Sequence, residues 1–319
     1  MVWKRFFKTV SSSADEATGN NPQPTESLQL SAATGPVLDA SDEHTWRHGH
    51  YLAQACELAY KPADEGERRF RDELNLQAKL ISVDNTQVYV GANAESIVVA
   101  FRGSEKPKSL DGFKDWLLTN ARNFLVLPEG QLGTDFAAAG VGARFHRGFM
   151  EALQEIWAPL YASLEEAMAV KQRPLWVTGH SLGGAIALLS AWRFHQNFLE
   201  VHRIVTFGAP MIGNKAASDA YHREFPDKII RYVDHGDMVP RLPTMSLLSN
   251  EYDHVQREIV VGVEGGQSAN DMLAKAAQGQ ADDQDVSADV AENLWGEIHA
   301  GIAAHLMDNY MARLAQKLA

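Results

Sequence analysis

The sequence predicts an α/β fold: a mostly parallel central sheet with helices on both faces. Three observations predict it. From residue 44 onward, apolar runs of strand length alternate with stretches of helical periodicity. The run Ile97-Val98-Val99-Ala100-Phe101 is continuously apolar, as a strand buried on both faces must be. Gly179-His180-Ser181-Leu182-Gly183 joins one such short run to a long helical one.

The elements follow in order. Residues 1–43 read as a flexible tail, rich in Ser, Thr, Pro, Gly, Asn and acids beyond residue 10. Within its first ten residues Trp3, Phe6, Phe7 and Val10 recur among Lys4, Arg5 and Lys8, a pattern shared by a short interfacial anchor and a frayed end. A single domain is expected over 44–319. Residues 46–60 read as a helix stopped by Lys61-Pro62, and 87–91 and 96–102 as strands. Residues 149–171 read as a helix, 175–178 as a strand and 181–198 as a helix. Strands at 203–207 and 228–233 flank a helix over 214–225. The last strand is expected at 256–263 and a closing helix at 303–317. Residues 265–289, rich in Gln, Ala, Asp and Gly, interrupt the pattern as an insertion loop.

Composition removes several function classes. The 319-residue chain is 45% hydrophobic and 22% charged, ordinary for a globular protein. A formal net charge of −12 repels phosphate backbones and argues against nucleic acid as a partner. Cys56 is the only cysteine, which excludes an intramolecular disulfide and a zinc site built on paired cysteines. No apolar run reaches the roughly 18 residues that a spanning helix needs. The first residues lack the long apolar core of a secretory signal. The expected location is cytoplasmic, with leaderless export or peripheral membrane association left open.

The chemical signal is Gly-x-Ser-x-Gly in the context that it requires, a strand before and an apolar helix after. Ser181 then sits on a sharp turn, between glycines that remove side chains from crowded backbone. Its place at a helix N-terminus directs free N–H groups toward developing negative charge. The bland alternative is a glycine-rich turn with a serine cap. An activated serine needs a base, and the base needs an orienting carboxylate, in the order Ser, acid, His. The turn Asp234-His235-Gly236-Asp237 offers two acids, and His299 and His305 both follow the last strand.

Seven separated motifs resemble the class 3 lipase family of α/β-hydrolases. They are Val99-Ala100-Phe101-Arg102-Gly103-Ser104, Asp115-Trp116 with Phe145-His146-Arg147-Gly148-Phe149, the Ser181 elbow, Thr206-Phe207-Gly208-Ala209-Pro210, Asp237-Met238-Val239-Pro240 and His305-Leu306-Met307-Asp308-Asn309-Tyr310. Without a signal peptide or disulfides, the chain looks like an intracellular or leaderless bacterial member. The resemblance implies an α/β-hydrolase fold with a lid segment near 105–124. It implies a catalytic triad of Ser181, Asp237 and His305, with an oxyanion hole formed by Ser104 and Leu182. His146 and His254 match motif positions other than the base, and His180 packs or hydrogen-bonds inside the elbow. The implied activity is a carboxylester hydrolase, a lipase acting on fatty-acyl esters at an oil–water or membrane interface, with no metal and no cofactor. A phospholipase or acyltransferase on the same scaffold is one rival, and a catalytically silent binding module is the other. The sequence carries no signal for oligomeric state.

Overall fold

The computed structural model describes residues 35–41, 43, 45–104, 125–241, 252–262, 301 and 303–319, all within one compact unit, Ser31–Ala319. Residues 1–34 of the expected tail, the lid segment, the insertion and His299 lie outside the described residues.

Among the described residues seven strands form the main sheet: β1 (Gln77–Val83), β2 (Thr86–Ala92), β3 (Ile97–Phe101), β4 (Leu175–His180), β5 (Val201–Phe207), β6 (Ile229–Asp234) and β7 (Arg257–Val261). They lie side by side in chain order. The pairs β1–β2 and β2–β3 are antiparallel, and every later pair is parallel. A second, small sheet pairs the two-residue strands Leu125–Val126, Phe145–His146, Gly213–Asn214 and Tyr252–Asp253.

The described helices are α1 (Trp46–Leu58), α2 (Ala63–Leu74), α3 (Gly130–Phe136), α4 (Arg147–Val170), α5 (Leu182–Gln196), α6 (Lys215–Glu224) and α7 (Met307–Gln316). Parallel strands in chain order with right-handed crossovers place their connecting helices on one face. Accordingly α4, α5 and α6 share a core with Ile97, Val99, Phe101, Leu175 and Val177. The other face is covered by α1, α2 and α7, packed on Val98, Ala100, Trp176 and Tyr232. Alternate residues of β3 thus enter opposite cores, which explains its unbroken apolar run. Helix α5 is buried from Gly183 through Phe194, so it carries no polar stripe.

Three local readings change. The helix expected from Ser181 begins at Leu182, because Ser181 has φ 58° and cannot be helical. The closing helix is broken at Leu306, which is extended at φ −64°, ψ 142°. Helix α2 and strand β1 were not expected from the sequence: α2 buries only Gly66, Phe70 and Leu74, one residue per turn, and β1 only Ile81.

Candidate active site

Strand β4 ends at His180 and α5 starts at Leu182, which leaves Ser181 alone in the turn. Its positive φ is costly for a residue with a Cβ. The Ser181 N–H donates to the Phe207 carbonyl at 2.9 Å, and the Ser181 carbonyl accepts from Gly184 N–H at 2.9 Å. The glycines are steric necessities: a Cβ on Gly179 would run into the Gly183 carbonyl, and one on Gly183 would lie 2.5 Å from the Phe101 oxygen.

His305 reaches this turn from the far end of the chain. Its Nε2 lies 2.9 Å from Ser181 Oγ, and its Nδ1 lies 2.8 Å from Asp237 Oδ2. A carboxylate only accepts, so Nδ1 carries the proton and Nε2 keeps a lone pair for the serine hydroxyl. Asp237 is fully buried. Its Oδ1 accepts the Val239 N–H at 2.9 Å, and its Oδ2 also accepts the Tyr310 hydroxyl at 2.7 Å. Burial and the adjacent Asp237 push the Tyr310 phenol far above its ordinary range, so it remains a donor.

Asp234 has a different task. Its carboxylate accepts from Gly236 N–H at 3.0 Å, Asn309 Nδ2 at 3.0 Å and Arg313 Nε at 3.3 Å. Its own N–H donates to Tyr310 Oη at 2.9 Å. It therefore braces the acid's turn against α7, the helix that follows His305.

Four other histidines near these motifs have local surroundings that explain them. His180 is hydrogen-bonded to Tyr60 Oη and to the His305 carbonyl. His146 is a buried residue at the start of α4, stacked on Phe149 at 3.9 Å. Burial beside Arg231 and Arg241 lowers His254 to about 3. The His235 N–H pairs with the Val261 carbonyl.

Leu182 opens α5, where N–H groups have no intrahelical acceptor. Ser104 stands in a bend directly after Gly103 and is half-buried. A Cβ on Gly103 would lie 3.2 Å from Ser181 Cβ, so the end of β3 abuts the elbow. Sequence reasoning assigned no role to Gly208. It has φ 57°, and a Cβ there would lie 2.7 Å from Asp237 Oδ2 and 3.0 Å from His305 Nδ1. Its place in the Thr206–Pro210 motif was the available signal, but a missing side chain leaves no chemistry to read. Among the described residues no group of three or more His, Cys, Asp or Glu could hold a metal, and no helix is long and apolar enough to cross a membrane.

Residues 98–247 match the family model described as Lipase (class 3). Over that stretch, a little under half of its length, the chain is similar to the class 3 lipase family. The chain is 29% identical over 172 residues to secreted mono- and diacylglycerol lipase 3 of Gibberella zeae, covering 52% of this chain and 50% of that one. It is 25% identical over 169 residues to the chloroplastic phospholipase A(1) DAD1 of Arabidopsis thaliana, covering 50% and 36%. The matches thus span half or less of these relatives' lengths. Among solved structures, the nonglycosylated LIP2 lipase of Yarrowia lipolytica superposes with a TM-score of 0.54 at 22% identity, over 68% of this chain and 80% of that one. The fold is the α/β-hydrolase fold.

Proposed function

We propose that this chain is a serine carboxylester hydrolase, a lipase cleaving fatty-acyl esters, with triacylglycerols as its substrate class. The observation that carries the reading is the continuous line from Ser181 Oγ through His305 to Asp237 Oδ2. Ser181 attacks the ester carbonyl while His305 Nε2 takes its proton, and Asp237 orients and stabilises the resulting imidazolium. The oxyanion forms at the N-terminus of α5, where the Leu182 N–H and the helix dipole favour negative charge. Ser104, by its N–H and hydroxyl, supplies the second donor. His305 then protonates the leaving alcohol, and water releases the acyl group by the reverse sequence. These groups complete each step, so the mechanism invokes no cofactor.

The similarity to a secreted mono- and diacylglycerol lipase supports an acylglycerol substrate met at an oil–water or membrane interface. The similarity to a phospholipase A(1) favours a second reading, fatty-acid release from phospholipids by the same triad. Incubation with dispersed triacylglycerols and with phosphatidylcholine vesicles separates the two by the product released. Ser181→Ala should lower hydrolysis of a nitrophenyl ester by about 10⁴-fold or more and abolish fluorophosphonate labelling while remaining folded. A folded wild-type protein that neither hydrolyses nor labels would leave only the binding-module reading.

A further inference from the structure

We propose that Tyr60 and His180 are positioning residues, forming a one-directional hydrogen-bond relay between the strand end beside Ser104 and the backbone of His305. This rests on the hydrolase reading above and assigns two residues that the reading leaves without a task.

The direction of the relay follows from donor chemistry. His180 Nε2 lies 2.7 Å from the His305 carbonyl oxygen, and its Nδ1 lies 2.8 Å from Tyr60 Oη. A carbonyl only accepts, so Nε2 carries a proton, and in the neutral ring Nδ1 is then a bare acceptor. Tyr60 therefore donates to Nδ1. Its oxygen is left to accept from the Gly103 backbone, with which it is hydrogen-bonded. Every donor points the same way: Gly103 N–H, Tyr60 O–H, His180 Nε2–H, and finally the His305 carbonyl. Burial raises the Tyr60 phenol above its ordinary range, so the hydroxyl keeps its proton.

Both ends of this relay matter for the reaction. Gly103 abuts Ser181 and immediately precedes Ser104. At the other end, the break at Leu306 takes the His305 carbonyl out of a helical ladder. The Asn309 N–H, which would accept that role of partner in an unbroken helix, instead donates to Leu306 O at 3.0 Å. His180 supplies the replacement donor, and its ring packs 4.8 Å from the His305 ring. The oxyanion side and the base are thereby held in one frame. Loosening that frame misplaces reacting groups by fractions of an ångström, which slows the chemical step more than it weakens binding.

The test uses the full chain and a soluble nitrophenyl butyrate. Tyr60→Phe should lower kcat about 10-fold, leaving KM within about twofold. His180→Gln keeps a donor near the His305 carbonyl but loses the Tyr60 partner. In that background, Tyr60→Phe should cost less than about twofold further. Full kcat in Tyr60→Phe, or losses that simply multiply in the double variant, overturns the relay. Histidine ¹⁵N NMR, assigned by the resonance lost in His180→Gln, gives a readout independent of turnover. The relay requires a neutral His180 protonated at Nε2, with an Nδ1 resonance that shifts in Tyr60→Phe; a proton on Nδ1 overturns it. Loss of hydrolysis in Ser181→Ala tests the hydrolase reading separately, so failure of the relay and failure of that reading give different results.

Discussion

Gly208→Ala is the most demanding test of the site geometry, because it adds one methyl group and removes no hydrogen bond. That methyl would sit 2.7 Å from Asp237 Oδ2 and 3.0 Å from His305 Nδ1, well inside the roughly 3.5 Å at which such atoms are comfortable. Asp237 cannot yield easily. It is fully buried and held by Val239 N–H and the Tyr310 hydroxyl. Backbone strain adds to the crowding, since φ is 57° and an L side chain there costs about 1 kcal/mol. With overpacking at about 1–3 kcal/mol, the expected destabilisation is about 2–4 kcal/mol. Pushing the acid and base apart by several tenths of an ångström should lower kcat about 10²-fold, or about 2.7 kcal/mol of barrier, with little change in KM. Urea unfolding and steady-state kinetics on a soluble nitrophenyl ester measure both. Wild-type kcat together with wild-type stability would refute the placement of Gly208 against the Asp237–His305 pair.

Tyr310→Phe removes a hydroxyl that donates to Asp237 and accepts from Asp234 N–H. Losing the bond to the carboxylate and orphaning a buried N–H should cost about 2–4 kcal/mol in urea unfolding and lower kcat about 10-fold. Asp135→Ala leaves the fully buried Arg193 without the carboxylate now 2.6 Å from its Nε. The expected loss is about 3 kcal/mol of stability, with kcat per folded molecule retained. His254, with a pKa near 3 in the folded protein against 6.5 unfolded, makes the unfolded chain bind its proton first as pH falls. Its contribution to stability is complete above about pH 6.5 and is lost down to about pH 3, at no more than about 1.4 kcal/mol per pH unit and less for its residual exposure. His254→Asn should flatten that part of a stability–pH curve measured by urea unfolding, and an unchanged slope would contradict it.

Much of the fold was legible because its signals are local. The continuous apolarity of β3 and the strand–glycine–serine–glycine–helix order at 179–183 are carried by adjacent residues, and the structure shows those elements within a few residues of expectation. Helix α2 and strand β1 were illegible for the converse reason. β1 is an edge strand, paired through β2, and α2 lays only a few apolar side chains on the core. Their apolar residues are too few to stand out in the sequence, and packing against neighbours fixes their positions.

The sequence by itself determined the candidate nucleophile's turn, the two carboxylates that could serve it and the two histidines that followed them. Motif resemblance selected Asp237 and His305 among these, and the tertiary structure brings those two together with Ser181. Asp234 and Asp237 stand three residues apart in one turn, and which carboxylate meets an imidazole depends on where α7 docks. The break at Leu306, the gap left by Gly208 and the meeting of Tyr60 with His180 across 120 residues likewise exist only once the chain has closed. A local pattern specifies what a residue can do chemically, but hydrogen-bond angles and contact distances between remote segments are set by packing.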